Sequence, residues 1–139
     1  MNVRKLIVVG MLFTALILAA DPWAGTWKMR ASAQSKLGSR IITETEAGPD
    51  SFHVTFDDAS KSGEKSGNDE VLICDGKEHP SDGATSMIIC TRTGPTTRIL
   101  AVKKDGKIID QVRHSLSSDG KVLTVTSMST GNVGVYDKQ

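Results

Sequence analysis

The chain has 139 residues, with 17 Lys and Arg against 16 Asp and Glu, and apolar residues make up 38% of it. That length accommodates one domain with one modest core. The near-neutral balance, with both signs interspersed, gives no electrostatic reason to expect nucleic acid or an anionic membrane as a partner.

The first twenty residues differ from the rest. Arg4 and Lys5 form a short positive end, Leu6 to Leu18 an apolar core, and Ala19 and Ala20 are small residues before the polar Asp21 and Pro22. This is the layout of a secretory signal peptide with cleavage after Ala20, which makes the product secreted or periplasmic. The apolar run of about 13 residues is short of the roughly 20 that a transmembrane helix needs. No cysteine lies at the cleavage point to carry a lipid, so no membrane anchoring is expected after cleavage. Residues 21–139 then form the one domain, with 15 basic residues against 16 acidic ones once Arg4 and Lys5 are gone.

From Asp21 onward the chain reads as short runs rich in Thr, Val and Ile. In order they are GTWKMRA (25–31), RIITETE (40–46), SFHVTFD (51–57), EVLIC (70–74), TSMIICTR (85–92), TRILAVK (97–103), KIIDQVRHSL (107–116), KVLTVTSM (121–128) and NVGVYDK (132–138). Between them fall AGPD, CDGK, KDGK, SSDGK and TGN, whose Asp-Gly and Gly-Asn pairs supply the positive backbone angles of tight hairpins. Consecutive strands are therefore expected to pair antiparallel in up-and-down order. The best helical candidate, SAQSKLGS (32–39), is a turn or two at most. The polar stretch DDASKSGEKSGND (57–69) reads either as a flexible loop or as a long strand pair interrupted at its tip.

Parallel sheets need crossover helices, which no segment supplies. The expected fold class is all-β, a single antiparallel up-and-down β-barrel of about 8–10 strands, with a sandwich as the other arrangement of the same strands. Alternation supports a sheet with one face inward: Phe52, Val54 and Phe56 lie opposite His53, Thr55 and Asp57, and Trp27 and Met29 opposite Thr26, Lys28 and Arg30. KIIDQVRHSL is undecided. One face carries Ile108, Asp110, Val112, His114 and Leu116, the other Ile109, Gln111, Arg113 and Ser115. A packed sandwich wants an oily face on every strand, whereas a barrel around a watery cavity tolerates polar residues inside.

Cys74 and Cys90 are the only cysteines, an even count in an exported chain, and a disulfide between them is the natural reading. Closing a loop of about 17 residues is worth on the order of 3 kcal/mol. One Cys pair without a second pair or a His at ligand spacing is no metal site. His53, His79 and His114 have no ligand at paired spacing, and G-x-S-x-G is absent. Asp57-Asp58 and Asp69-Glu70 read as solvation, and GEKSG (63–67) lacks the rest of a phosphate loop. No nucleophile, metal, cofactor or acid-base pair can be assembled, so an enzyme is not expected.

Gly25-Thr26-Trp27, near the start of the first strand, resembles the G-x-W signature of the calycins, the superfamily of lipocalins and fatty-acid-binding proteins. VRHSLSSDGKVLTVT (112–126) followed by VGVYDKQ (133–139) is similar to the last strands of fatty-acid-binding proteins. The chain also looks like small secreted bacterial proteins described as lipocalin-like, which share the signal peptide, a D-P-x-x-G-T-W-K start and a V-Y-x-K-Q end. The resemblance implies that Trp27 closes the barrel floor, with Gly25 allowing close approach; Trp23, four residues earlier and just after Pro22, is expected to cover the end from outside. The resemblance also implies that Arg113 faces the interior and meets a ligand carboxylate, with Tyr136 as the tyrosine of a terminal Arg-x-Tyr pair. The arginine of that pair is replaced by Gly134, and the two-helix lid between the first strands is missing. The resulting expectation is a monomeric binding protein for a small hydrophobic or amphipathic ligand, with Arg113 and Tyr136 as polar contacts and Phe52, Phe56 and Met29 as apolar wall. The alternative is a protein-interaction or inhibitor module whose barrel is filled by its own side chains.

Overall fold

The structure is a computed structural model describing residues 20–32, 35–81 and 85–139. The expected signal peptide falls, but for Ala20, outside the described residues. Among those described there are ten strands and no helix: β1 (Gly25–Met29), β2 (Leu37–Gly48), β3 (Ser51–Ser60), β4 (Lys65–Ile73), β5 (Glu78–Pro80), β6 (Ser86–Gly94), β7 (Thr97–Lys104), β8 (Lys107–Leu116), β9 (Val122–Ser127) and β10 (Val133–Lys138).

The strands form one sheet in the order β4-β3-β2-β1-β10-β9-β8-β7-β6-β5. Every pairing is antiparallel, and β1 meets β10 through Trp27 opposite Lys138 and Met29 opposite Tyr136. The meander thus rolls into a nearly closed barrel whose seam lies between β4 and β5, which share no ladder. The disulfide between Cys74, just past β4, and Cys90 on β6 crosses that seam. Beside it, Gly76 N donates to Cys90 O at 2.9 Å and Cys74 N to Asp50 O at 2.7 Å.

Turn chemistry sets the register. Asp105 and Gly106, with φ of 50° and 75°, join β7 to β8 in a two-residue loop whose positive angles match the twist of a hairpin. The polar stretch 57–69 is a strand pair with a short tip: β3 continues to Ser60, and Ala59 lies opposite Lys65 at the start of β4. Alternation could not reveal it, because residues 65–69 are exposed on both faces. Residues 37–39 of the helical candidate belong to β2. β5 is an additional strand of three residues; Pro80 ends it at the sheet edge, where a missing N–H costs no ladder bond.

Up-and-down order puts the β2–β3, β4–β5, β6–β7 and β8–β9 connections at one end of the barrel, with the residues preceding β1, and the other five connections at the opposite end. The first end is closed by the core. Trp23, Trp27, Phe52, Leu123 and Cys90 are essentially inaccessible there, with Leu72, Leu116 and Cys74 beside them. The second end is open.

Candidate functional site

Two charged side chains sit within the core of the closed end. Glu44 on β2 is 3% exposed and Arg98 on β7 is 1% exposed. Arg98 Nη2 donates to Glu44 Oε1 at 2.6 Å and Nη1 to Oε2 at 3.0 Å, a two-pronged pairing that offsets much of the cost of taking both charges out of water. The same guanidinium lies 4.2 Å from the centre of the Trp23 ring and 5.6 Å from that of Phe52. His114 is opposite Arg98 in the ladder, and its Nδ1 accepts from Arg98 Nε at 3.3 Å. Enclosure by protein, reinforced by the neighbouring Arg98 charge, pushes the imidazole down from 6.5 to about 3, so the ring is neutral at physiological pH. Trp27 Nε1 donates to Trp23 O at 3.1 Å, whereas the buried Trp23 Nε1 has no partner.

The open end holds a cavity of about 390 Å³. Met29 of β1, Leu37 of β2, Val112 of β8, Val125 of β9 and Val135 of β10 give it apolar wall. Arg40 and Tyr136 are polar groups of its wall, and Arg30 and Lys36 also line it. No carboxylate is among its described lining residues. Arg40 is held by the residue directly opposite it on β3: Nε donates to Asp58 Oδ1 at 2.7 Å and Nη2 to Oδ2 at 2.6 Å. Its guanidinium lies 5.4 Å from the centre of the Phe56 ring. The hydrogen bonds to Asp58 raise the Arg40 pKa, so the charge is permanent. Burial pushes the Tyr136 hydroxyl up, opposed by the nearby Arg40 charge and a hydrogen bond from it.

Gly134 explains how the tyrosine is seated. A Cβ at that position would lie 3.2 Å from Tyr136 Cε2 and 3.5 Å from its hydroxyl oxygen, so the ring lies across bare backbone. Gly134 is thus the bed of the neighbouring aromatic ring, and Arg40 of β2 brings a guanidinium to the cavity.

The residues singled out from sequence do not share one place. Met29 and Tyr136 line the cavity. Phe56 packs on the core beneath Arg40, and Phe52 is buried at the other end against Arg98. Trp27 and Trp23 are both buried, so Trp23 lies inside the closed end and not over its outside. Gly25, with φ of 140°, leaves room for the Lys138 side chain. Arg113 is a correction: it is exposed, on the face of β8 opposite Val112 and His114, and contributes nothing to the cavity. The physical reason is parity. β8 ends on Leu116, which is buried, so every second residue back from it, His114 and Val112, faces inward and Arg113 faces out.

Sequence reasoning passed over Arg40, Glu44 and Arg98, and it read Asp58 as solvation, whereas Asp58 pairs with Arg40 and is largely covered. Their signal was the same alternation: Arg40 and Glu44 flank Ile42, and Asp58 continues the row of Phe52, Val54 and Phe56.

Fold and cavity together define a nearly closed, ten-stranded up-and-down β-barrel with the shape of the fatty-acid-binding proteins. No known family matches the chain, and neither does any curated protein. Among solved structures it is similar to the wild-type fluorescent protein UnaG, with a TM-score of 0.61 and 16% identity over 87% of this chain and 100% of that one. It is also similar to secretory abundant heat soluble protein 4 from Ramazzottius varieornatus, with a TM-score of 0.57 and 19% identity over 86% and 96% of the two chains. A Schistosoma mansoni fatty acid binding protein in complex with arachidonic acid gives 0.55 and 14% over 85% and 96%. At such identities the likeness is one of fold.

Proposed function

We propose that this protein is an exported carrier or scavenger of a small amphipathic ligand, held in the open-end cavity. The observation that carries the reading is one cavity in which apolar side chains from five strands meet Arg40 and Tyr136, among other polar lining groups that include Ser35, Ser127 and Asn132. An apolar body against Met29, Val112 and Val125 leaves water, while an acidic or acceptor head meets the guanidinium and phenol. Asp58 engages two of the Arg40 N–H groups, and the others remain to reach Tyr136 and a ligand. With the ion pair already formed, the head is held by hydrogen bonds more than by net charge, and Lys36 in the lining favours an anion. The arachidonic acid complex of a similar barrel is consistent with this chemistry. Export is supported by the disulfide, which persists in oxidising compartments, and by the sequence pattern of residues 1–20. No helix of the described residues is long and apolar enough to cross a membrane.

Native mass spectrometry of the protein purified gently from its own host tests the reading. A bound small molecule released by Arg40→Gln supports it. A bare chain that also fails to take up fatty acids in titration overturns it. One observation favours the second reading, an interaction module: the closed half is filled by its own side chains, and Ile108, Ile109 and Met128 are exposed together at the open end. That module predicts the bare chain.

A further inference from the structure

Most of a calycin barrel's interior lies below its mouth, and in this chain the lower part is occupied by charge. The cavity walls can be followed downward one inward-facing position at a time. On β2 the inward row runs Arg40, Ile42, Glu44; on β8 it runs Val112, His114, Leu116. The first residue of each row lines the cavity, and neither second nor third residue does. Beneath Ile42 comes Glu44, locked to Arg98 at 2.6 Å and 3.0 Å, with His114 accepting from the same guanidinium and the Trp23 ring against its face.

We infer that the Glu44–Arg98–His114 cluster is a polar floor that sets the length of the ligand. The inference rests on the ligand reading above and adds the size class to it. An apolar tail that reached the cluster would have no free apolar surface to cover. To go further it would have to part a buried ion pair whose halves then lack partners, a cost larger than the next few methylenes repay. At roughly 30 Å³ per water-sized group, the cavity holds about a dozen heavy atoms. That is an acid near decanoate, and not the long chain of arachidonic acid.

The test is an isothermal titration series of straight-chain acids from hexanoate through octanoate, decanoate and dodecanoate to palmitate and stearate. Above the floor each added methylene tightens binding about fourfold, the ordinary gain for burying a CH₂; past decanoate the gain stops. A gain that continues undiminished to stearate overturns the floor and leaves the ligand reading standing. Binding of none of the acids overturns the ligand reading and the floor with it. The double variant E44A/R98A removes both charges together, leaving no orphaned charge, and opens the space beneath; the break in the series then moves to palmitate or beyond. Should that variant not fold, Ile42→Ala deepens the cavity by a smaller step, and the break moves by two or three methylenes, at the estimated fourfold each. A break that stays at decanoate in every folded variant shows that something other than this floor limits the ligand, and overturns the proposal.

Discussion

The two ends of the barrel use the same kind of ion pair to opposite purpose. At the closed end Arg98 and Glu44 are out of reach of water, and the guanidinium is sandwiched with Trp23 and Phe52. At the open end Arg40 and Asp58 keep 32% and 13% of their side-chain surface exposed, beside a cavity. Both pairs have two-pronged geometry, with short contacts of 2.6 Å. The difference is what lies on the free side of the arginine: aromatic rings in one case, open space and a phenol in the other. A paired arginine covered by protein holds a fold together, and a paired arginine left uncovered is available to a ligand.

The contrast is sharpest for stability. Arg98→Met leaves Glu44 buried and unpartnered, and urea denaturation should show a loss of about 3–5 kcal/mol, the usual cost of breaking a buried pair from one side. The double variant E44L/R98M should recover most of it, since no orphaned charge remains. Recovery of nothing would mean that the aromatic contacts, and not the charges, carry the closed end.

Next in size is the seam. Cys74→Ser with Cys90→Ser removes the strap between β4 and β6, where the sheet has no ladder, and should cost about 3 kcal/mol. The thermal midpoint of the double variant, set against the reduced wild type, checks that the loss belongs to the bond and not to the serines.

The closed end also predicts a pH profile. In the folded chain His114 stays neutral down to about pH 3, while unfolded it takes a proton near 6.5. The unfolded state therefore binds the proton first as pH falls. Above 6.5 the group contributes no pH dependence; below it stability drains by at most about 1.4 kcal/mol per pH unit until about pH 3. By pH ~5 that amounts to about 2 kcal/mol. His114→Gln keeps an acceptor for Arg98 without a titrating group, so the urea midpoints of that variant should fall less steeply than those of the wild type between pH 6.5 and about 3. Parallel curves across the acid range would show that the imidazole is not the group responsible.

What sequence could read of this contrast follows from how local each signal is. Asp-Gly turns and runs such as SFHVTF need only their neighbours, and they mark the hairpins and the antiparallel order directly. The cysteine pair needs only an even count and an oxidising destination. Facing is harder, because a partly polar interior blurs alternation: β8 places His114 inside and Ile109 outside, the reverse of what hydrophobicity ranks. The ion pairs are hardest. Glu44 and Arg98 are far apart in sequence and on strands that are not neighbours in the sheet, so only closure of the barrel brings them together. The resemblance to fatty-acid-binding proteins led to Arg113 for the same reason, since it matches a strand without fixing its parity.

At the open end the effects should appear in binding more than in folding. Arg40→Gln removes the cavity's guanidinium and should weaken an acid such as decanoate at least tenfold, about 1.4 kcal/mol or more. It should lower stability by no more than about 1 kcal/mol, because Asp58 at the barrel mouth can turn to water. Arg113→Gln is the matched control and the smallest effect of all. The two residues are the same chemical group on the same barrel, one lining the cavity and one on the outer face, opposite Ile99 and Thr126. Neither the decanoate isotherm nor the urea midpoint should move for Arg113→Gln. Loss of affinity in that variant, with Arg40→Gln unaffected, would reverse the parity of β8 and move the site to the other face of the sheet.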